Sequence, residues 1–104
     1  MDKTLGMLSL CKKAGKLKAG FDPAALSLGR DAALVVFSAD ASPKTKDRMA
    51  QKAADAGIPC VTLPQTADEI GFATGKRVVV LAVTDEGMAR QVLRLTGEQN
   101  KEVM

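Results

Sequence analysis

Two runs of apolar, β-prone residues do most to limit what this chain can become: Ala32-Ala33-Leu34-Val35-Val36-Phe37 and Val78-Val79-Val80-Leu81-Ala82-Val83. Neither alternates with polar residues. A strand that is apolar on both faces must be covered on both faces, which calls for helices above and below a sheet.

The rest of the chain supplies those helices. Residues 2–13 place Leu5, Leu8 and Cys11 on one stripe, with Lys3, Lys12 and Lys13 toward water. Leu17 to Ala19 is a short extended element. Asp22-Pro23 predicts an N-cap followed by proline at the first helical position, opening a brief helix to Leu28 that Gly29 stops. Ser42-Pro43 repeats that signal for a helix to Ala56, with Met49, Ala50, Ala53 and Ala54 inward and Gly57 and Pro59 as the stop. Cys60 to Leu63 reads as another strand. Thr66-Ala67-Asp68-Glu69 is a capping box for a short helix ending near Gly71–Gly75. After the second apolar run, Thr84 is expected to cap a last helix carrying Met88, Val92, Leu93 and Leu95, closed by Gly97.

Alternating helices and strands, without linker or repeat, predict an α/β fold: a three-layer α/β/α sandwich with a small mixed central sheet, largely built from right-handed β-α-β crossovers. The 104 residues suit one domain, expected over 1–98, with a flexible tail at 99–104. No apolar run approaches the ~20 residues of a membrane span. Residues 1–10 are too short and too polar for a signal peptide, so a cytoplasmic protein is expected.

Several chemistries are excluded by residue type. The chain has no histidine, which rules out a histidine-based triad and, with only Cys11 and Cys60 far apart, a zinc site. The cysteines are expected to be small, buried or half-buried thiols in a reducing compartment. Asp68-Glu69 and Asp85-Glu86 lie at helix starts, where acids favour the dipole, and neighbours in sequence diverge rather than converge on a substrate. Gly15-Lys16 and Gly75-Lys76 lack the spacing of a P-loop. No enzyme, cofactor or metal is expected.

Charge points elsewhere. Net charge is +3, but residues 1–20 hold five lysines against Asp2 alone, whereas residues 84–104 hold four acids against Arg90, Arg94 and Lys101. Such asymmetry suits a nucleic-acid-facing end, with a solvated helix face as the plainer alternative. Three phenylalanines, with no tyrosine or tryptophan, are too few for a base-stacking sheet. The segment Cys11-Lys12-Lys13-Ala14-Gly15-Lys16-Leu17-Lys18-Ala19-Gly20 gathers lysines before a helix start, a combination suited to an anion.

The run Leu10 to Gly20 resembles the start of the kink-turn-binding ribosomal-protein family of the L-seven-Ae and L-thirty-e type, in particular its short bacterial members. Further matches follow in order: Ala33 to Ser42, Gly57 to Val61, Glu69-Ile70-Gly71, Thr74-Gly75-Lys76 and Val83 to Gly87. The resemblance covers roughly residues 3–95 and implies an α/β/α sandwich that grips sharply kinked RNA between two loops. The family's first loop, Gly-Thr-Asn-Glu with a lysine one turn on, falls on Gly20, Phe21, Asp22 and Pro23, with Leu26 in the lysine's place. Only the glycine matches. Asp22 either caps its own helix or accepts from a guanine N–H, and Leu26 forfeits a phosphate contact. Phe21 is either an exposed ring for a flipped base or a staple on the core.

The second loop falls on Ala73, Thr74, Gly75, Lys76 and Arg77, where glycine permits close approach and two cations can meet phosphates. Lys13, Gly15, Lys16 and Lys18 are expected to extend this basic surface. The expectation is non-enzymatic binding of structured, kinked RNA, possibly ribosomal, with loop amides and lysines against phosphates. The alternative is the same fold with a degenerate RNA loop, acting as a protein–protein adaptor. A third reading is a small-ligand or nucleotide site after Gly20. The RNA interpretation requires the segments around Gly20 and Gly75 to meet in space.

Overall fold

The computed structural model describes the backbone of residues 2–101 and the side chains of residues 2–97. In chain order the elements are α1 (Lys3–Lys13), β1 (Leu17–Ala19), α2 (Phe21–Ser27), β2 (Leu34–Phe37), α3 (Pro43–Ala56), β3 (Cys60–Thr62), α4 (Ala67–Thr74), β4 (Val80–Val83) and α5 (Glu86–Lys101). The two apolar runs become the central strands. All four residues of β2 and of β4 are buried, and they pair antiparallel with Leu34 opposite Val83 and Phe37 opposite Val80.

Strand order is β1-β4-β2-β3. Alternate residues of the central strands feed two cores. Leu34, Val36, Leu81 and Val83 pack with Leu5, Leu8, Ile70 and Val92 from α1, α4 and α5. Val35, Phe37, Val80 and Ala82 pack with Ala24, Met49 and Ala53 from α2 and α3. The three-layer sandwich and mixed sheet are therefore as expected. β1, β2 and β3 all run one way, because β1 and β2 are each antiparallel to β4 and β3 pairs parallel with β2. Two β-α-β crossovers, β1-α2-β2 and β2-α3-β3, build most of the sheet, and β4 inserts antiparallel between β1 and β2.

Local capping follows the sequence at most ends. Ser42 accepts from the Thr45 N–H and Thr66 with Glu69 forms the full capping box. Gly57 ends α3 with φ 73°. Asp2 accepts from the Leu5 N–H at 2.8 Å and, through its other oxygen, from Gln65 Nε2 at 2.7 Å, tying the start of α1 to the turn before α4. At α5 the cap is Asp85, whose carboxylate accepts from the Met88 N–H at 2.9 Å, rather than Thr84. That helix also runs past Gly97 to Lys101. Of the tail expected at 99–104, residues 99–101 therefore continue the helix, and 102–104 lie outside the described residues.

Candidate functional site

β1 has two ends, and they separate the candidate residues into two groups. At one end the Gly20 N–H donates to the Val80 carbonyl at 2.9 Å. At the other the Thr84 N–H donates to the Lys16 carbonyl, also at 2.9 Å. Lys16 and Gly20 are four residues apart on an extended chain, so about 13 Å lies between them.

The Gly20 end holds both expected loops. Gly20 has φ 105° and ψ 160°, a region that only glycine enters easily, and the chain turns there straight into α2. A methyl group on Gly20 would lie 3.9 Å from Lys76 Nζ. Lys76 reaches that place because α4 ends on Gly75 with φ 85°. Gly71 lets the returning chain pass closely: a Cβ there would sit 3.0 Å from both N and Cα of Arg77. Thr74 is buried (4% exposed), and its hydroxyl donates to the Ile70 carbonyl at 2.9 Å, so it shapes the loop from inside. The Gly20 and Gly75 N–H groups are committed as well, to Val80 and Gly71 carbonyls. Those two amides, expected to meet phosphates, are not free to do so.

Between the loops is a cleft of about 370 Å³ lined by Gly20, Phe21, Thr45, Arg48, Arg77 and the backbone stretch Val78–Val80. Phe21 is half-buried against the α2–α3 core and lies beneath the Arg48 guanidinium, 4.8 Å from the ring centroid. The ring is thus a staple whose outer face carries a cation. Arg48 was not among the residues expected from sequence. It lies 27 positions from Phe21, and only its place on the Lys44, Arg48, Lys52 spacing of α3 hinted at it. Arg77 forms an exposed ion pair with Asp68, a contact of little stabilising value that a stronger anion can displace. Asp40 stands near Arg77. The Ser38 hydroxyl first, then the Ala67 N–H and more weakly Arg77, hold its carboxyl below the usual range.

Asp22 does not cap α2. The helix starts one residue after Gly20, so Asp22 falls in the first turn, exposed, and Pro23 takes the third helical position, where a missing N–H costs nothing. Gly20 itself provides no side-chain cap.

The remaining basic residues lie elsewhere. Lys12 and Lys13 occupy the last turn of α1, offsetting its dipole. Gly15, φ 72°, makes the left-handed step after that helix, with the Gly15 N–H on the Lys12 carbonyl and the Lys16 N–H on the Cys11 carbonyl. Lys13, Gly15 and Lys16 are therefore at the far end of the sheet from Lys76. Lys18, in mid-strand, borders a hollow with Pro23, Leu26 and Arg30 on the α2 side. The single basic surface expected from the N-terminal lysines is in fact divided.

Other chemistry is sparse. Among the described residues no group of three or more His, Cys, Asp or Glu could hold a metal, and no helix is long and apolar enough to cross a membrane. Cys11 is buried, and burial, helped by Asp85, pushes its thiol pKa up to about 11. Cys60 is exposed on the edge strand, not buried or half-buried as expected. A separate apolar groove of about 450 Å³ lies between α1 and α4, bordered by Leu5, Phe72 and Ala73 with Asp68 and Glu69.

Comparison with known proteins agrees with this anatomy. Residues 2–93 match the model of the ribosomal protein L7Ae/L30e/S12e/Gadd45 family. The chain is 32% identical over 94 residues to the RNA-binding protein YlxQ of Enterococcus faecium, covering 89% of this chain and 90% of that one. A protein of unknown function from Bacillus halodurans superposes with a TM-score of 0.85 at 28% identity, over 93% of this chain and 99% of its own. The Giardia lamblia 15.5kD RNA binding protein shares the fold, with a TM-score of 0.73 at 21% identity over 90% and 82% of the two chains. With nearly its whole length matched, from the first helix into the last, the chain belongs to the ribosomal protein L7Ae/L30e/S12e/Gadd45 family.

Proposed function

We propose that the protein is a non-enzymatic RNA-binding domain of the cytoplasm that takes structured, kinked RNA in the cleft between the Gly20 turn and the Gly75–Arg77 loop. The observation that carries this reading is the approach of Lys76 Nζ to Gly20, which joins two loops 55 positions apart into one site. Lys76, Arg77 and Arg48 supply the cations for phosphates, and the turn at Gly20 keeps the backbone clear of side-chain bulk. Arg77 exchanges Asp68 for a phosphate on binding. Asp22 offers only acceptors, so base readout at this loop is narrow. Affinity accordingly rests on phosphate contacts and falls steeply with salt.

The test is a titration of a kink-containing duplex and a plain duplex at two salt concentrations. Preference for the kinked RNA at both salts is expected. Equal, weak binding to the two would remove the claim of kink recognition.

A second reading, a protein–protein adaptor, is favoured by Phe72, which is 91% exposed beside the α1–α4 groove, and by Leu26, 69% exposed on α2. Phe72 is contiguous with the apolar lining of that groove, and a contiguous exposed apolar patch marks an interaction surface. A partner that survives nuclease treatment, and is then lost on Phe72→Ser but retained on Lys76→Glu, is the adaptor's outcome; the RNA reading expects co-purifying partners to be lost with the nuclease itself.

A further inference from the structure

Arg48 is the common wall of two adjoining hollows. One is the cleft with Gly20 and Phe21. The other, about 320 Å³, runs along α3 between Arg48, Gln51, Lys52 and Asp55. The phase of α3 is set by Ser42 at its cap, Pro43 at its first position, and Met49 and Ala53 buried beneath it. With that phase, Lys44, Arg48 and Lys52 recur every fourth residue, all exposed, and the middle one lies over Phe21 of α2. Each step advances about 6 Å along the helix, making a ridge about 12 Å long.

We propose that this ridge is a second nucleic-acid contact, in which Lys44, Arg48 and Lys52 track the phosphodiester backbone of an RNA stem leaving the cleft. The inference rests on the RNA reading above and extends it from the kink to its flank. Three features favour this partner. The ridge bears polar side chains and no exposed large apolar one, unlike the core of a protein interface. Arg48 stacks its guanidinium on Phe21, which leaves the edge N–H groups to point outward at a phosphate. The ridge is also continuous with the cleft through that same residue. The acids of α3 set its limits: Asp55 closes it three residues after Lys52, and Asp47 lies roughly 100° around the helix from its centre.

The experiment uses the full chain with two kinked RNAs, one with long flanking stems and one cut back to the kink, across a salt series. Lys52→Glu is expected to weaken binding of the long-stemmed RNA about fivefold and to flatten its log K against log salt slope by about one, leaving the short RNA bound as before. Asp55→Asn is expected to tighten the long RNA. Lys13→Glu, an equal charge change at the other end of the sheet, controls for general attraction. Thermal melts of each variant confirm the fold. If Lys44→Glu and Lys52→Glu bind the long RNA like wild type while Lys76→Glu does not, or if Lys13→Glu loses as much as Lys52→Glu, the ridge is overturned. If wild type binds neither RNA, the cleft reading itself falls and the ridge with it.

Discussion

A Cβ on Gly71 would sit 3.0 Å from the backbone nitrogen and Cα of Arg77, closer than side chains and backbone normally approach. The last turn of α4 and the chain returning to β4 therefore pack against each other with nothing between them. This contact fixes the start of the Lys76-Arg77 segment against α4.

Gly71→Ala tests it. Alanine gains about 1 kcal/mol of helix propensity over glycine, so an uncrowded site would be stabilised. Here the neighbour is backbone and must move, at a cost of about 1–3 kcal/mol. The expected result is a lower Tm and weaker RNA binding; an unchanged or raised Tm means the loop gives way freely.

Gly20→Ala is expected to destabilise by about 1–3 kcal/mol, because φ 105° with ψ 160° is strained for any residue with a Cβ. Gly29→Ala is the comparison, since Gly29 lacks a positive φ and nothing crowds its Cβ position. Denaturant midpoints that move equally for the two variants would contradict the assignment of the strain to Gly20.

Lys76→Glu and Lys16→Glu make the same change of charge at opposite ends of β1. With the RNA site at the Gly20 end, Lys76→Glu lowers affinity about tenfold at moderate salt and Lys16→Glu has a much smaller effect. Fluorescence anisotropy with a kinked RNA reads both. Equal losses would mean that the protein attracts RNA through its overall charge.

Asp40 gives the fold a pH dependence of known sign. Its carboxyl titrates lower in the folded protein than in the unfolded chain, so the unfolded chain takes up the proton first. The stability this confers is complete above the ordinary aspartate range, about pH 4, and is lost as pH falls through the lower folded value. Urea denaturation of wild type and Asp40→Asn between neutral pH and pH 3 should show the flatter profile in the variant. Parallel profiles would place the acid sensitivity in other carboxylates.

The two thiols should differ toward a maleimide. Burial pushes both pKa values up, Cys11 to about 11, but Cys60 is exposed to the reagent whereas Cys11 is buried. One equivalent is expected in the native protein, at Cys60, and two after denaturation. Early labelling of Cys11, located by peptide mapping, would show that α1 opens readily.

What could be read directly from the sequence was local. Leu34–Phe37 and Val80–Val83 declare themselves as doubly covered strands, and Ser42, Thr66 and Gly57 mark helix ends through chemistry confined to four or five residues. The missed features depend on distant partners. Nothing near Lys16 says that it pairs with Thr84 at the far end of β1, so lysines close in sequence read as one face. Nothing near Phe21 says that Arg48 covers it. Asp22-Pro23 was a sound cap signal, overruled because Gly20 can turn the chain one residue sooner. Likewise the antiparallel setting of β4 comes from its place between β1 and β2, which no local pattern encodes.

That setting also dictates an order of assembly. β4 fills the gap between two strands made more than forty residues before it, so the sheet stays split until the chain has been synthesised past Val83. Contacts so distant along the chain form late and slowly. Because the cleft joins the turn after β1 to the segment leading into β4, a nascent or truncated chain lacks the cleft proposed to receive RNA.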